Sequence, residues 1–154
     1  MENDHPNREQ QVWQRVLQRQ EESSGMELQR LQMTAMELAA SFHQLMGMLS
    51  GRRRELARQL YEGEMANAAA LKGIARLSGS REEVLKLWNP TREPSARLLE
   101  ASYHKTRRCM TDYLSRSAEA QYGAVFRLLS DREARHCLLL TELLGMEDWP
   151  QKNR

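Results

Sequence analysis

The stretch YGAVFRLLSDREARHCLLLTELL, residues 122–144, decides how this chain is read. Tyr122, Val125, Phe126, Leu129, Leu140, Leu143 and Leu144 recur at spacings of three and four, the period that gathers side chains on one face of an α-helix. Glu133 and His136 lie on that same face, in the gap between Leu129 and Leu140. A carboxylate on a buried stripe is costly unless something inside the fold compensates it, so the pair demands a partner. The earlier stretch GRRRELARQLYEGEMANAAALKGIARL, residues 51–77, repeats the design: Leu56, Leu60, Leu71 and Ile74 mark a face, and Glu64 and Asn67 occupy its middle. In both, an acid precedes a polar residue by three positions, midway along an apolar stripe.

Outward from these stretches the chain reads all-α. It holds only four Val, one Ile and five Thr, while Leu, Met, Ala, Glu, Gln and Arg dominate, as helices prefer. Prolines stand at 6, 90, 94 and 150, leaving two long proline-free stretches that must fold back on themselves. The spacing predicts a short leading helix near 7–22 and long helices near 26–49, 52–77, 95–115 and 118–145. The expected interruptions are Glu22 to Gly25, Ser50-Gly51 and Ser115 to Ala118. A capping box at Ser80 and Glu83 starts a brief helix to Leu87, and 78–94 serves as a crossover between two helical hairpins. The expected divisions are a leading helix and linker over 1–25, a four-helix bundle over 26–145 and a tail over 146–154.

Composition narrows the function. With 154 residues, 40% hydrophobic and 29% charged, the chain suits one soluble domain whose core needs no disulfide staples. Cys109 and Cys137 form no CxxC pair, which removes zinc ribbons, rubredoxin-type iron sites and thioredoxin-like motifs. The polar N-terminus lacks an apolar signal region and no apolar run approaches a membrane span, so a cytoplasmic protein with no membrane partner is expected. Net charge +2 with interleaved signs, and Arg52-Arg53-Arg54 as the one three-residue basic run, give no footing for nucleic acid.

Partners for Glu64 and Glu133 can be sought by reflecting each through its turn, which lands on Glu37 and Glu100. Neither is centred on its stripe. Glu37 lies about 120° from the main face of the first long helix, Leu28, Leu31, Ala35, Leu38, Phe42, Leu45 and Leu49, and sits with Met33, Ala40 and Met48. Glu100 is at the edge of the Leu99, Tyr103, Met110 and Tyr113 face, with His104 one turn later as a substitute. Plainer readings stand beside these. Ser130 and Glu133 spell a capping box, His136 and Glu133 can pair with no metal, and Glu37 and Glu100 can be solvated. The Met and Tyr residues suit packing, and Val12, Trp13, Val16 and Leu17 suit docking of the leading helix onto the bundle or a second subunit.

On these residues the chain resembles the rubrerythrin branch of the ferritin-like superfamily over about 26–145. The segment from Glu37 to Phe42 is similar to that family's first-helix motif, Glu62 to Leu71 to its E-E-x-x-H-A-x-x-L segment, and Tyr122 to His136 to its last helix. The resemblance implies a ferritin-like four-helix bundle with an iron or manganese pair on Glu37, Glu64, Asn67, Glu100, Glu133 and His136. It also implies oxidoreductase chemistry on peroxide or dioxygen. Asn67 stands where the family has histidine, and an amide oxygen is a poorer iron ligand, so one position would be weak or vacant. No rubredoxin module is present, which implies an external electron donor. The competing expectation is a metal-depleted bundle acting as a structural or interaction module, dimerising through the leading helix or a bundle face.

Overall fold

The computed structural model describes residues 7–79 and 95–146, apart from the side chains of 20–24. Among these residues it is all-helical: α1 (Arg8–Met48), α2 (Gly51–Leu77), α3 (Ser95–Arg116) and α4 (Gly123–Leu144). No helix is long and apolar enough to cross a membrane.

Local chemistry sets the ends. Asn7 caps α1 by accepting a hydrogen bond from the Gln10 N–H at 2.8 Å, satisfying one of the amides that a helix start leaves free. Leu49 and Ser50 are extended, and Gly51 has φ 59°, a left-handed conformation that side-chain-bearing residues rarely adopt. These three residues turn α1 back into α2, as Ser50-Gly51 predicts. The α3 helix ends at Arg116, where the Arg116 guanidinium lies 4.4 Å over the Phe126 ring and bonds Glu119, and the chain turns through 117–122 into α4. The capping box at Ser130 is not used. Helix α4 runs through it, and the Ser130 hydroxyl donates to the Met110 carbonyl on α3.

Cross-pairs fix the helix directions. Tyr61 meets His43, Asp112 meets Arg30, Lys105 meets Glu37, Phe126 meets Tyr113 and Glu142 meets Arg52. Helix α1 therefore runs antiparallel to α2 and α3, and α4 runs antiparallel to α3 and α2. Each helix backbone lies close to two others, while the backbones of the diagonal pairs, α1 with α4 and α2 with α3, stay more than 8 Å apart between Cα atoms among the described residues. The core takes the stripes read from sequence: Leu28, Leu31, Ala35, Leu38, Phe42, Leu45 and Leu49 from α1, Leu56, Leu60, Leu71 and Ile74 from α2, and Phe126, Leu129, Leu140 and Leu143 from α4. Helix α3 differs, because Ser102, Thr106 and Cys109 are buried while Tyr103 and Met110 are only half-buried.

The separate leading helix near 7–22 is corrected. It is continuous with the next helix, and the expected break at Glu22 to Gly25 is helical. A glycine inside a helix costs only about 1 kcal/mol, too little to break it where strong helix formers flank it and no proline intervenes. The brief helix at 80–87 and nearly all of the 78–94 crossover fall outside the described residues, as does all but Met146 of the tail.

Continuity of α1 gives a direct test. Gly25→Ala should raise stability by up to about 1 kcal/mol in urea unfolding, with a gain of helical circular dichroism. A chain broken at 22–25 would show no gain, or a loss.

Candidate metal centre

Helices α2 and α4 cross with their polar interruptions face to face. Glu64, Asn67 and Glu133 have no accessible surface and His136 has 3%. His136 Nδ1 lies 3.0 Å from Glu64 Oε1 and 3.3 Å from Glu133 Oε1. A proton must sit between the imidazole and these oxygens, since bare acceptors would repel. Asn67 donates from Nδ2 to Glu133 Oε1 at 2.7 Å, and Arg132 Nη1 donates to Asn67 Oδ1 at 2.7 Å. Arginine has no acceptor, so it fixes the amide with its oxygen outward and its NH2 group toward the cluster.

Close helix approach makes this possible. A Cβ added to Gly63 would overlap His136 Nε2 and Cε1, so the imidazole occupies the space of the missing side chain. Glycine is required here for room, and its cost to the helix is accepted for that reason.

Two charges sharing a dry site cannot both be easily ionised. Burial pushes the Glu64 carboxyl well above the usual carboxylate range, the Glu133 charge adds to this, and Asn67 and Arg132 oppose it. Glu64 Oε2 and Glu133 Oε2 are buried with no hydrogen-bond partner. The Thr106 and Tyr113 hydroxyls are also buried without one, both on the inward side of α3. Burial, with the Glu133 and Glu64 charges behind it, pushes the Cys109 thiol up. The Tyr113 phenol is raised by burial and then by Cys109 and the same glutamates. Both shifts favour the protonated forms.

Of the six residues expected as ligands, the structure brings together Glu64, Asn67, Glu133 and His136. The atoms Glu64, Glu133 and His136 offer lie within 4.8 Å of one another, the group of three suited to a metal ion among the described residues. Asn67 is present as a donor to Glu133, with its oxygen engaged by Arg132, and in this orientation it offers no ligand atom inward. Glu37 is not brought to this group: it is half-exposed and paired with Lys105 Nζ at 3.2 Å, and the main stripe of α1 takes the interior and leaves Met33 and Met48 exposed. Glu100 and its substitute His104 are both exposed on α3. Where those carboxylates were expected, α1 and α3 supply an apolar stripe and small polar residues. Sequence reasoning passed over Gly63 and Arg132, although each directly precedes one of the two buried glutamates.

Comparison with protein-family models, with curated proteins and with solved structures finds no match.

Two experiments follow from the geometry. In chelator-treated protein the folded chain keeps the Glu64 proton while the unfolded chain releases it at ordinary carboxylate pH. Stability is therefore full below that pH and falls as pH rises toward the folded group's higher value, by at most about 1.4 kcal/mol per pH unit. Glu64→Gln should flatten that decline in urea unfolding between about pH 4 and pH 9, and an unchanged slope would refute a retained proton. Gly63→Ala should cost about 1–3 kcal/mol by forcing the His136 ring aside, with helical content kept; a neutral result would mean that the ring is not seated against Gly63.

Proposed function

We propose that this chain is a ferritin-like helical bundle of rubrerythrin type whose interior binds one divalent transition-metal ion, iron or manganese, on Glu64, Glu133 and His136. The observation that carries the reading is the convergence of two fully buried carboxylates and an imidazole, with a buried, unpartnered oxygen on each carboxylate. An imidazole and carboxylates are the donor set that iron and manganese prefer among protein sites. Helix directions support the ferritin-like topology: α2 and α3 run parallel on a diagonal, so a chain joining them travels the length of the bundle, as a crossover does.

A bound iron or manganese ion would supply a redox and Lewis-acid centre for peroxide or dioxygen reduction, with electrons from a separate donor. The chain's own residues set the terms. Asn67 holds Glu133 by its Oε1, Arg132 holds Asn67 and offsets part of the negative charge, and Gly63 lets the His136 ring lie against α2. The proton shared by His136 and the glutamates would leave as the ion enters, making affinity rise with pH. A pair of ions has less support than one, since Glu37 and Glu100 lie outside the cluster.

A second reading, a metal-free structural or interaction module, is favoured by one observation. The inner oxygens of both glutamates already have partners in His136 and Asn67.

Metal content per chain decides between them. After anaerobic loading with Fe(II) or Mn(II), one ion per chain is expected, with none in the Glu133→Ala/His136→Ala variant. Two ions would restore the di-metal reading. No ion, with an unchanged melting temperature on loading, would leave the metal-free bundle.

A further inference from the structure

Helix α1 is longer than anything packed on it. It has 41 residues, whereas α2 has 27 and α3 has 22. The pairing of His43 with Tyr61 brings the end of α2 level with about residue 27, and the pairings of Arg30 with Asp112 and Glu37 with Lys105 bring the end of α3 level with about residue 26. Over 8–26, roughly 28 Å at the α-helical rise, α1 continues with no other helix beside it among the described residues. This overhang carries Val12, Trp13, Val16 and Leu17, which are 53%, 59%, 38% and 55% exposed. At 100° per residue Trp13 and Leu17 lie in line with Leu28, Leu31 and Ala35, so the stripe that builds the core runs on past the end of the bundle.

That alignment restricts what can cover the stripe. A second copy of this chain laid on it parallel to α1 would bring its own α2 and α3 against those of the first. Laid antiparallel, the second copy carries its bundle to the far end of the overhang. The connector over 80–94 is too short: it joins Gly79 at this end to Ser95 at the other, about 33 Å away, and its fifteen residues reach at most about 50 Å. It cannot run out along the overhang, return and still span the bundle.

We propose that the overhang is an antiparallel dimerisation helix, covered by the same stretch of a second copy of this chain. A two-fold axis near residue 15 sets Trp13 of each copy level with Leu17 of the other, an isologous contact that closes on itself. In that register each copy's α1 begins level with residue 22 of the other, short of the ends of α2 and α3, so the bundles do not collide. Apolar side chains at four-residue intervals on both helices then interdigitate as in antiparallel bundle packing. The dimer is independent of the metal reading.

Analytical ultracentrifugation of the full chain, wild type beside Trp13→Glu/Leu17→Glu, tests this. Expected is a dimer of the wild type at about 50 μM chain that dissociates on dilution, and a monomeric variant whose melting is that of the diluted wild type. Four outcomes overturn the proposal. They are a monomeric wild type at that concentration, a dimer that survives the double substitution, a monomer that the substitution makes less stable, which would mean intrachain cover, and a monomer that co-sediments with phospholipid vesicles.

Discussion

The burial of two carboxylates between α2 and α4 is the constraint on which the rest of this structure depends. A charged carboxylate in a dry interior is tolerated only with partners or a retained proton, and the chain uses both. His136 spans Glu64 and Glu133, and Asn67 holds Glu133. Burial drives the Glu64 carboxyl toward its protonated form, so the metal-free cluster carries less charge than its composition suggests. The same two features, convergent ligand atoms and displaceable protons, are what a divalent cation needs.

Around that cluster the neighbouring helices adjust. Gly63 gives up a side chain so that the His136 ring can enter, and Arg132 sets the Asn67 amide. On α3, Ser102, Thr106 and Cys109 line the interior with small side chains, and Tyr113 fills the space below against Phe126. The surfaces of α1 and α3 where a di-metal protein would place two further glutamates are filled differently. Leu38 and Ala35 belong to the core, and Glu37 pairs with Lys105.

Much of this was legible in the residues. Stripes at three-and-four spacing located α2, α3 and α4, and the polar interruptions at Glu64, Asn67, Glu133 and His136 marked the cluster, because a polar residue on an apolar stripe has no solvent to turn to. Reflection through the turns found Glu37 and Glu100 at suitable distances along the chain. It could not find their rotation about the helix axis, and one helical residue turns a side chain by about 100°. The angular offsets of both glutamates from their stripes were the better guide. The break expected at Glu22 to Gly25 failed for an energetic reason: the penalty of one glycine is small beside the cooperativity of a helix already propagating.

By itself, the sequence determined the all-α class, the hairpin turn at Ser50-Gly51, the core stripes of α1, α2 and α4 and the buried identity of the acid and polar pairs, since all of these follow from local propensity and periodicity. Tertiary structure alone decided which polar atoms meet. Glu64 meets His136 and Asn67 meets Glu133 across the α2–α4 contact, Asn67 turns its donor inward because Arg132 holds its acceptor, and Gly63 matters through a ring 73 positions away in the chain. Those pairings depend on the register and closeness of two helices that are distant in sequence, and periodicity within one helix carries no information about either.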